Sequence, residues 1–270
     1  MATSNHVGGD ELIIKDVHFS YGSVPIFDGM SINVNPGEFL SILGPSGCGK
    51  TTFLNLLSGF LKPDEGSVLL RGEPIEPEDP HFGYVFQSAT LFPWLSTVEN
   101  VEFGLRMAGT LTPEQRREKA MHYLEMVGLK GFENYLPIRL SGGMQQRASL
   151  ARALAMEPRL LLMDEPFGAL DAITREIMND ELLRLWDGLG QTVVFITHDI
   201  DEAIYLSDRV LVLNLPPRGV FKTLNNDLPR PRSGPTTRTA DLFWQYKKEL
   251  IDDIAQVSAL KKKVLAAQMN

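Results

Sequence analysis

The stretch GPSGCGKTT, residues 44–52, decides the fold of this chain. It fits the pattern G-x-x-x-x-G-K-[ST] at Gly44, Gly49, Lys50 and Thr51, between the apolar run EFLSIL, which predicts a strand, and residues 50–60, which predict a helix. In that setting the glycines let backbone amides curl around a phosphate, Lys50 neutralises phosphate oxygens, and the Thr51 hydroxyl is a ligand for Mg²⁺. We therefore predict a phosphate-binding loop rather than a chance glycine turn. The other predicted nucleotide-binding positions in this stretch are Pro45, Ser46, Gly47, Cys48 and Thr52.

A second candidate phosphate site is LSGGMQQR, residues 140–147. Ser141 precedes two glycines, Gly142 and Gly143, at a predicted helix N-terminus. The first amides of a helix have no acceptor inside the helix, and the helix dipole leaves partial positive charge there. Nothing else in the chain suggests a second kind of nucleotide. The simplest interpretation is that both sites hold one kind of ligand, in two copies of the chain.

Polar residues follow several predicted strands. Asp164 and Glu165 follow the run RLLLM, and because Mg²⁺ binds few protein carboxylates, one acid can orient the metal through water while the other faces an attacking water. Without the phosphate loop, a solvated acidic turn would be the better interpretation. His198, Gln87 and Tyr21 also lie at or beyond strand ends, but singly they are more typical of a turn histidine, an ordinary glutamine and a core aromatic residue.

Composition limits the class of protein. The chain has 270 residues, an ordinary apolar fraction and a net charge of −8, which gives no electrostatic reason to expect nucleic acid or an anionic lipid surface as the main partner. Cys48 is the one cysteine, so an internal disulfide is excluded and a reducing compartment is expected. The sequence shows no apolar run long enough for a membrane helix and no signal peptide pattern, and residues 1–10 are expected to form a disordered lead.

The order of predicted elements favours an α/β fold interrupted by a helical lobe at about residues 97–157. Inside the lobe, Thr112 fits the N-cap of a helix, Pro113 its first position and Gln115 the third position of a capping box. Strands and helices alternate again afterwards, with a helix at about residues 172–189. The chain is then rich in proline and glycine from Pro216 and ends in a charged helix.

The motifs together identify a family. Tyr21, the phosphate loop, Gln87, LSGGMQQR, LLLMDEP, GALD and THD occur in the order and at the spacings of the ATP-binding cassette (ABC) ATPases. The chain resembles that family over residues 12–232, and residues 233–270 form a C-terminal helical extension. The resemblance implies an α/β fold with a P-loop NTPase core of the ABC ATPase type, an antiparallel β subdomain and an inserted helical subdomain.

The resemblance also implies roles in binding and hydrolysing ATP with Mg²⁺ as cofactor. Tyr21 would stack on the adenine, Asp164 would position Mg²⁺ together with Thr51, and Gln87 would contact the metal and report on the transporter. Glu165 resembles the general base that polarises the attacking water. His198 resembles the residue that touches the γ-phosphate.

Members of this family close as head-to-tail dimers, which would explain the two phosphate sites. Ser141, Gly142 and Gly143 of one chain would cap the γ-phosphate held by Lys50 of the other, and Asp171, in GALD, resembles the residue that communicates across the dimer. A helix N-terminus supplies donors and positive potential where charge develops during phosphoryl transfer. The second ATPase subunit is expected to be an identical chain or a close paralogue.

Within this family, the chain most resembles the ATPase subunits of bacterial importers for nitrate, alkanesulfonates and taurine. It implies membrane-spanning permease subunits, a periplasmic or surface solute-binding protein, and a location at the cytoplasmic face of the inner membrane, held there through the permease. The alternative is a soluble ABC-type ATPase that acts in regulation or on nucleic acid without a membrane partner. The acidic net charge favours the importer, with no nucleic acid as partner.

Two further segments carry expectations about surfaces. In QSATLFPWLSTVENV, residues 87–101, Leu91, Phe92, Trp94 and Leu95 surround Pro93 beyond a predicted strand end. For each side chain alone burial is the better interpretation, but together they resemble the family's groove for a short cytoplasmic helix of the membrane subunit. The lysine run at residues 261–263 predicts a solvated helix face, with contact to anionic lipid as the weaker alternative.

Overall fold

The computed structural model describes residues 12–79, 81–168 and 170–268. These divide into two compact units: the first holds the chain up to Pro77 and again from Gly190, and the second is Glu78–Leu189. Helices and strands are numbered along the whole chain. The predicted disordered lead at residues 1–10 lies outside the described residues. Among the described residues, no helix is both long enough and apolar enough to cross a bilayer.

An antiparallel sheet forms one layer of the first unit. Its strands pair in the order β2, β1, β4, β5. Alternate residues of β1 are buried, and glycines with positive φ, such as Gly22 at +60°, make the tight turns between strands. The bounds are β1 Leu12–Tyr21, β2 Val24–Val34, β4 Glu65–Leu70 and β5 Glu73–Pro74.

A second group of strands forms the core of the first unit. Strand β3 pairs in parallel with β8 on one side and β9 on the other, and β10 pairs antiparallel with β9. Every residue of β3 and β8 is buried, as expected for strands covered on both faces. The bounds are β3 Phe39–Leu43, β8 Thr192–Ile196, β9 Arg209–Leu213 and β10 Val220–Asn225, with helices α1 Lys50–Leu57, α6 Ile200–Leu206, α7 Gly234–Thr237 and α8 Asp241–Gln268.

The second unit combines a parallel strand pair with helices. Strands β6 and β7 pair in parallel, and helices α2, α3 and α4 pack against one another. The bounds are β6 Phe82–Val85, α2 Thr97–Ala108, α3 Pro113–Met126, a short 3-10 turn at Pro137–Arg139, α4 Gly142–Ala155, β7 Leu160–Asp164 and α5 Ala172–Leu189. The predicted capping box of α3 is confirmed, with Thr112 as N-cap and Pro113 in the first turn. Ala120, Tyr123 and Leu124 of α3 are buried.

Two element predictions differ from the structure. The helix predicted from Lys50 to Phe60 ends at Leu57, because Ser58 is its C-cap and Gly59 has a φ of +73°. Strand β10 lies in the stretch rich in proline and glycine after Pro216, where no strand was predicted. It forms because β9 offers a free edge for pairing, which single-residue composition does not reveal.

Candidate nucleotide site

The phosphate loop of the first unit connects the end of β3 to the start of α1. Gly44 has a φ of +157°, and a Cβ there would lie 2.6 Å from the Cys48 Sγ, so a side chain has no space at this position. Gly49, the N-cap of α1, has a φ of +97°, in the left-handed region that favours glycine. The Lys50 ammonium donates to the Gly44 carbonyl at 2.8 Å. The loop is therefore a tight backbone cradle with a cation beside it.

Strand β2 packs directly against this loop. A Cβ on Gly49 would lie 3.0 Å from the Phe27 ring and 3.1 Å from the Ile26 Cγ2, so glycine lets strand and loop approach closely. Tyr21 pairs with Val24 across the turn between β1 and β2. The Tyr21 side chain is half exposed (52 %), which is unusual for an aromatic residue in a core and leaves its ring available for stacking.

Cys48 lies under the loop and is 1 % exposed. Its amide donates to the Pro45 carbonyl at 3.2 Å, which closes a turn inside the loop. Burial raises the pKa of the Cys48 thiol above its ordinary value, while the charge of Lys50 acts in the opposite, weaker direction. The side chain is therefore a protonated thiol at neutral pH that fills space beneath Gly44.

His198 leaves the core at the same edge as the phosphate loop. In the parallel pair of β3 and β8, Ile42 lies opposite Ile196, so Gly44 and His198 each follow two residues later. The Thr197 amide donates to the Ile42 carbonyl at 3.3 Å, which continues the pairing beyond the strands. His198 is exposed, and the next residue, Asp199, is the N-cap of α6.

Gln87 and Glu165 meet in the second unit. The register of β6 on β7 places Val85 opposite Met163, so Gln87 and Glu165 each follow two residues later at the carboxyl edge. The Gln87 amide donates to Glu165 Oε2 at 3.3 Å. Glu165 has a φ of +44°, a backbone conformation that is uncommon for a residue with a side chain. A strained backbone at a chain reversal is typical of residues held for function.

Asp164 is the last residue of β7 and is 6 % exposed. Burial and the Asp164 charge both raise the pKa of Tyr84 on the neighbouring strand, burial being the larger cause. Among the described residues, no group of three or more histidine, cysteine, aspartate or glutamate side chains could hold a metal ion. A carboxylate such as Asp164 and a hydroxyl such as that of Thr51 suit Mg²⁺, which keeps water and phosphate oxygens as most of its ligands.

The second candidate phosphate site has the expected form of a helix start. Ser141 is the N-cap of α4, and its hydroxyl accepts from the Met144 amide at 3.3 Å. No acidic residue lies in the first turn. Gly142 has open space where a Cβ would be, whereas a Cβ on Gly143 would lie 2.8 Å from Leu170. The exposed side of the helix end therefore leaves room for a ligand at Gly142.

Asp171 serves as a helix cap in this chain. Its carboxylate accepts from the Thr174 hydroxyl at 2.7 Å and from the Thr174 amide at 3.0 Å. The hydrogen bond from the Thr174 hydroxyl is the main cause that lowers the pKa of Asp171. The side chain is exposed and ionised at the start of α5, a position that fits both a cap and a contact to another molecule.

Sequence reasoning missed Gln146. This glutamine of α4 is 4 % exposed, and its amide donates to the Phe86 carbonyl at 2.9 Å. Phe86 directly precedes Gln87, so Gln146 joins the helix that begins at Ser141 to the segment that presents Gln87. The signal was present in LSGGMQQR, but its two adjacent glutamines do not tell which one points inward.

The comparisons with known proteins agree with this geometry. Residues 27–168 match the family model described as ABC transporter. The chain is 48 % identical to the taurine import ATP-binding protein TauB of Yersinia pestis, over 79 % of this chain and 84 % of that protein. It is 39 % identical to the aliphatic sulfonates import ATP-binding protein SsuB of Bacillus cereus, over 85 % and 88 %.

A solved structure supports the same assignment at the level of the fold. An ATP-binding cassette, solved as a dimer in a post-hydrolysis state bound to ADP and phosphate, superposes with a TM-score of 0.71 at 36 % identity. The match covers 79 % of this chain and 98 % of that one. Matching motifs, fold and sequence identity lead to one conclusion: the chain belongs to the ABC transporter family and is an ATP-binding cassette ATPase.

Proposed function

We propose that this ATPase energises an importer for a small anion such as taurine, an alkanesulfonate or nitrate. The observation that carries the hydrolytic part is the contact between Gln87 and Glu165, at the ends of two parallel strands. The import part is supported by the names of TauB and SsuB, which share about the whole cassette with this chain. The solute itself never touches the ATPase, so its class rests on these relatives.

In the proposed reaction the first unit binds the nucleotide. Amides of residues 44–52 and the Lys50 ammonium hold the β- and γ-phosphates, because a glycine-rich loop followed by a helix N-terminus concentrates donors and positive charge. The half-exposed Tyr21 ring stacks on adenine. His198, which leaves β8 at the same edge as the loop leaves β3, donates to the γ-phosphate.

The second unit supplies the groups that act on water. Glu165 accepts the proton of the attacking water, and Gln87 orients the Glu165 carboxylate through the hydrogen bond between them. Thr51, Gln87 and Asp164 are the proposed contacts of Mg²⁺, with Asp164 acting through water. When bound, Mg²⁺ neutralises charge on the phosphate oxygens.

We infer that the working form is a dimer in which each ATP contacts both chains. Ser141 and Gly142 begin a helix whose first turn has no acidic residue and whose outer side is open. Such an end suits the γ-phosphate held by the partner's phosphate loop. Asp171 is exposed and directly follows Leu170, which lies 2.8 Å from where a Cβ on Gly143 would be, and it would contact the partner chain.

The proposed docking surface for the permease lies around Phe92 and Trp94. Phe92 is held in place, since its amide donates to the Asn100 side chain at 2.7 Å and its ring packs 4.5 Å from the Phe103 ring. Trp94 lies beside it and is 72 % exposed. A fixed aromatic residue next to an exposed one is typical of a site that receives a partner side chain. Through this contact the ATPase would sit at the cytoplasmic face of the membrane, below the permease and its solute-binding protein.

Uptake in cells tests the proposed function. A strain lacking this gene is complemented with the wild-type chain, with Lys50→Ala, or with Lys248→Ala, which changes an exposed lysine of α8. We expect wild type and Lys248→Ala to restore uptake of radiolabelled taurine, alkanesulfonate or nitrate, and Lys50→Ala to restore none. Equal uptake of all three solutes with and without the gene would contradict the proposal.

A further inference from the structure

The C-terminal helix α8 reaches the phosphate loop. Lys261, near its end, donates from its ammonium to the Ser46 carbonyl at 2.7 Å. The same nitrogen lies 3.8 Å from the position that a Cβ on Gly47 would take. The expectation of a solvated face for the lysine run is therefore wrong for Lys261, because tertiary packing brings this side chain to the loop.

Helix α8 is held in this position along its length. Phe243, Leu250 and Val257 recur every seven residues and are buried, so one face of the helix packs against the first unit. Two ion pairs add to this packing: Lys247 with Asp201 at 2.8 Å, and Lys222 with Asp253 at 3.1 Å.

Lys261 lies on the packed face of α8. It follows the buried residues Asp253 and Val257 at the four-residue spacing that keeps side chains on one side of a helix. The contact of Lys261 with the loop therefore follows from the docking of the whole helix. The long lysine side chain lets the ammonium reach the Ser46 carbonyl.

The contact holds the central peptide of a turn in the phosphate loop. Gly47 has a φ of +82° and no Cβ, and the Cys48 amide donates to the Pro45 carbonyl, so the peptide plane between Ser46 and Gly47 lies in the middle of that turn. Because a trans peptide is rigid, fixing the Ser46 carbonyl on one side fixes the Gly47 amide on the other. The ammonium also adds a second positive charge to a loop that already contains Lys50.

We propose that Lys261 is a positioning residue of the nucleotide site: it orients the peptide between Ser46 and Gly47 for phosphate binding, and it makes helix α8 part of that site. This inference rests on the proposed binding of ATP by residues 44–52. It assigns the C-terminal extension a role in nucleotide affinity in addition to its packing.

The test compares ATP affinity in Lys261→Met, Lys261→Arg and the matched control Lys248→Met, by titration with a fluorescent ATP analogue. We expect Lys261→Met to raise the Kd about 3- to 10-fold, the factor that one hydrogen bond of ordinary net strength supplies. Lys261→Arg keeps a charged donor and should recover most of the affinity, and Lys248→Met should match wild type. In ATP hydrolysis, the KM of Lys261→Met should rise more than kcat falls.

Salt dependence and a folding control complete the experiment. The difference in ATP affinity between wild type and Lys261→Met should become smaller as the salt concentration rises, because salt screens the charge of the Lys261 ammonium. A matching thermal unfolding midpoint for wild type and Lys261→Met shows that the helix still docks. If the two midpoints differ, Lys261→Gln is used in place of Lys261→Met. Equal or tighter ATP binding by the Lys261 variants overturns the inference, whereas absence of binding by the wild-type chain overturns the proposed function instead.

Discussion

At the scale of single residues, Glu165 shows how the backbone contributes to the candidate chemistry. Its φ of +44° places a side-chain-bearing residue in the left-handed region, at a cost on the order of 1 kcal/mol or more. The turn that follows also fixes the backbone of Glu165, because the Gly168 amide donates to the Glu165 carbonyl at 3.1 Å. The carboxylate is thereby aimed by the backbone and held by the Gln87 amide.

This arrangement predicts the behaviour of Glu165→Gln. The amide keeps the shape of the side chain and can still accept from Gln87, but it cannot take a proton from water. We expect ATP binding to stay within about twofold of wild type and the hydrolysis rate to fall at least about 100-fold. Phosphate release under single-turnover conditions measures the loss. Glu118→Gln, at an exposed position of α3, is the control and should hydrolyse normally; near-normal turnover by Glu165→Gln would remove Glu165 as the base.

Cys48 gives a second prediction at this scale, and one with a defined pH dependence. Because burial raises the pKa of the Cys48 thiol, little thiolate exists at pH 7, and the rate of reaction with a bulky maleimide should rise steadily from pH 7 to pH 9. Modified protein should fail to bind ATP because the adduct does not fit beneath Gly44, and bound ATP should protect the thiol.

The matched control for this experiment is Cys48→Ala. Cys48 is the one cysteine of the chain, so treated Cys48→Ala should bind ATP as before. Mass spectrometry counts the adduct and a nucleotide titration measures binding. Full ATP binding by completely modified wild-type protein would refute the steric argument.

The roles of single residues could be predicted where the backbone forms the site, and not where a side chain reaches a distant partner. The phosphate loop and the helix start at Ser141 follow from glycine spacing, because the backbone sets both. The contact of Gln87 with Glu165 required a register between β6 and β7 that the sequence does not encode locally. Gln146 and Lys261 were hidden for a related reason: their partners are backbone carbonyls far away in the chain.

At the scale of elements, helix ends follow local rules closely. Helix α2 begins with a capping box of Ser96 and Glu99 and ends at Gly109, whose φ is +69°. The hydrogen bonds of the Ser96 hydroxyl and amide to Glu99 also lower the pKa of that carboxyl. The capping box of α3 was predictable because it involves neighbours in sequence. Strand β10 was not predictable in this way, because it is ordered by pairing with β9 rather than by its neighbours in sequence.

The cap of α3 carries a stability prediction. In Thr112→Ala the hydroxyl that accepts from the Gln115 amide is lost, and we expect the free energy of unfolding to fall by about 1 kcal/mol. Thr110→Ala, at an exposed position just before the cap, is the matched control and should change it by less than about 0.5 kcal/mol. Denaturant titration of both variants gives the comparison. A loss no larger in Thr112→Ala than in Thr110→Ala would show that the cap adds nothing measurable.

At the scale of the whole molecule, the candidate groups are divided between the two units. The first unit contains the phosphate loop and His198; the second contains Gln87, Glu165 and the helix that begins at Ser141. The sequence predicted an α/β fold with a helical lobe at about residues 97–157, whereas the second unit is Glu78–Leu189 and also contains β6, β7 and α5. It did not predict that the last helix returns to the loop, since the packing of α8 depends on apolar residues spread over distant elements.

In the proposed dimer, the number of intact nucleotide sites depends on whether two substitutions lie on the same chain or on different chains. Lys50→Ala disables the phosphate loop, and Ser141→Arg blocks the helix start with a bulky side chain. When a Lys50→Ala chain pairs with a Ser141→Arg chain, one site joins the intact loop of one chain to the intact helix start of the other, and the second site carries both changes. When a chain with both changes pairs with a wild-type chain, each site carries one change. Both pairs contain the same two substitutions.

We therefore expect the first pair to trap nucleotide at one site per dimer and the second pair to trap almost none. Two affinity tags isolate each mixed dimer, and radiolabelled ATP retained after rapid desalting counts the trapped nucleotide. Introducing Glu165→Gln into both chains slows hydrolysis, so the retained label reports site assembly rather than turnover. Equal retention by the two pairs would mean that each chain binds its nucleotide alone. In that case the helix start at Ser141 would have no part in the partner's site, whereas the phosphate loop and the assignment of Glu165 would stand.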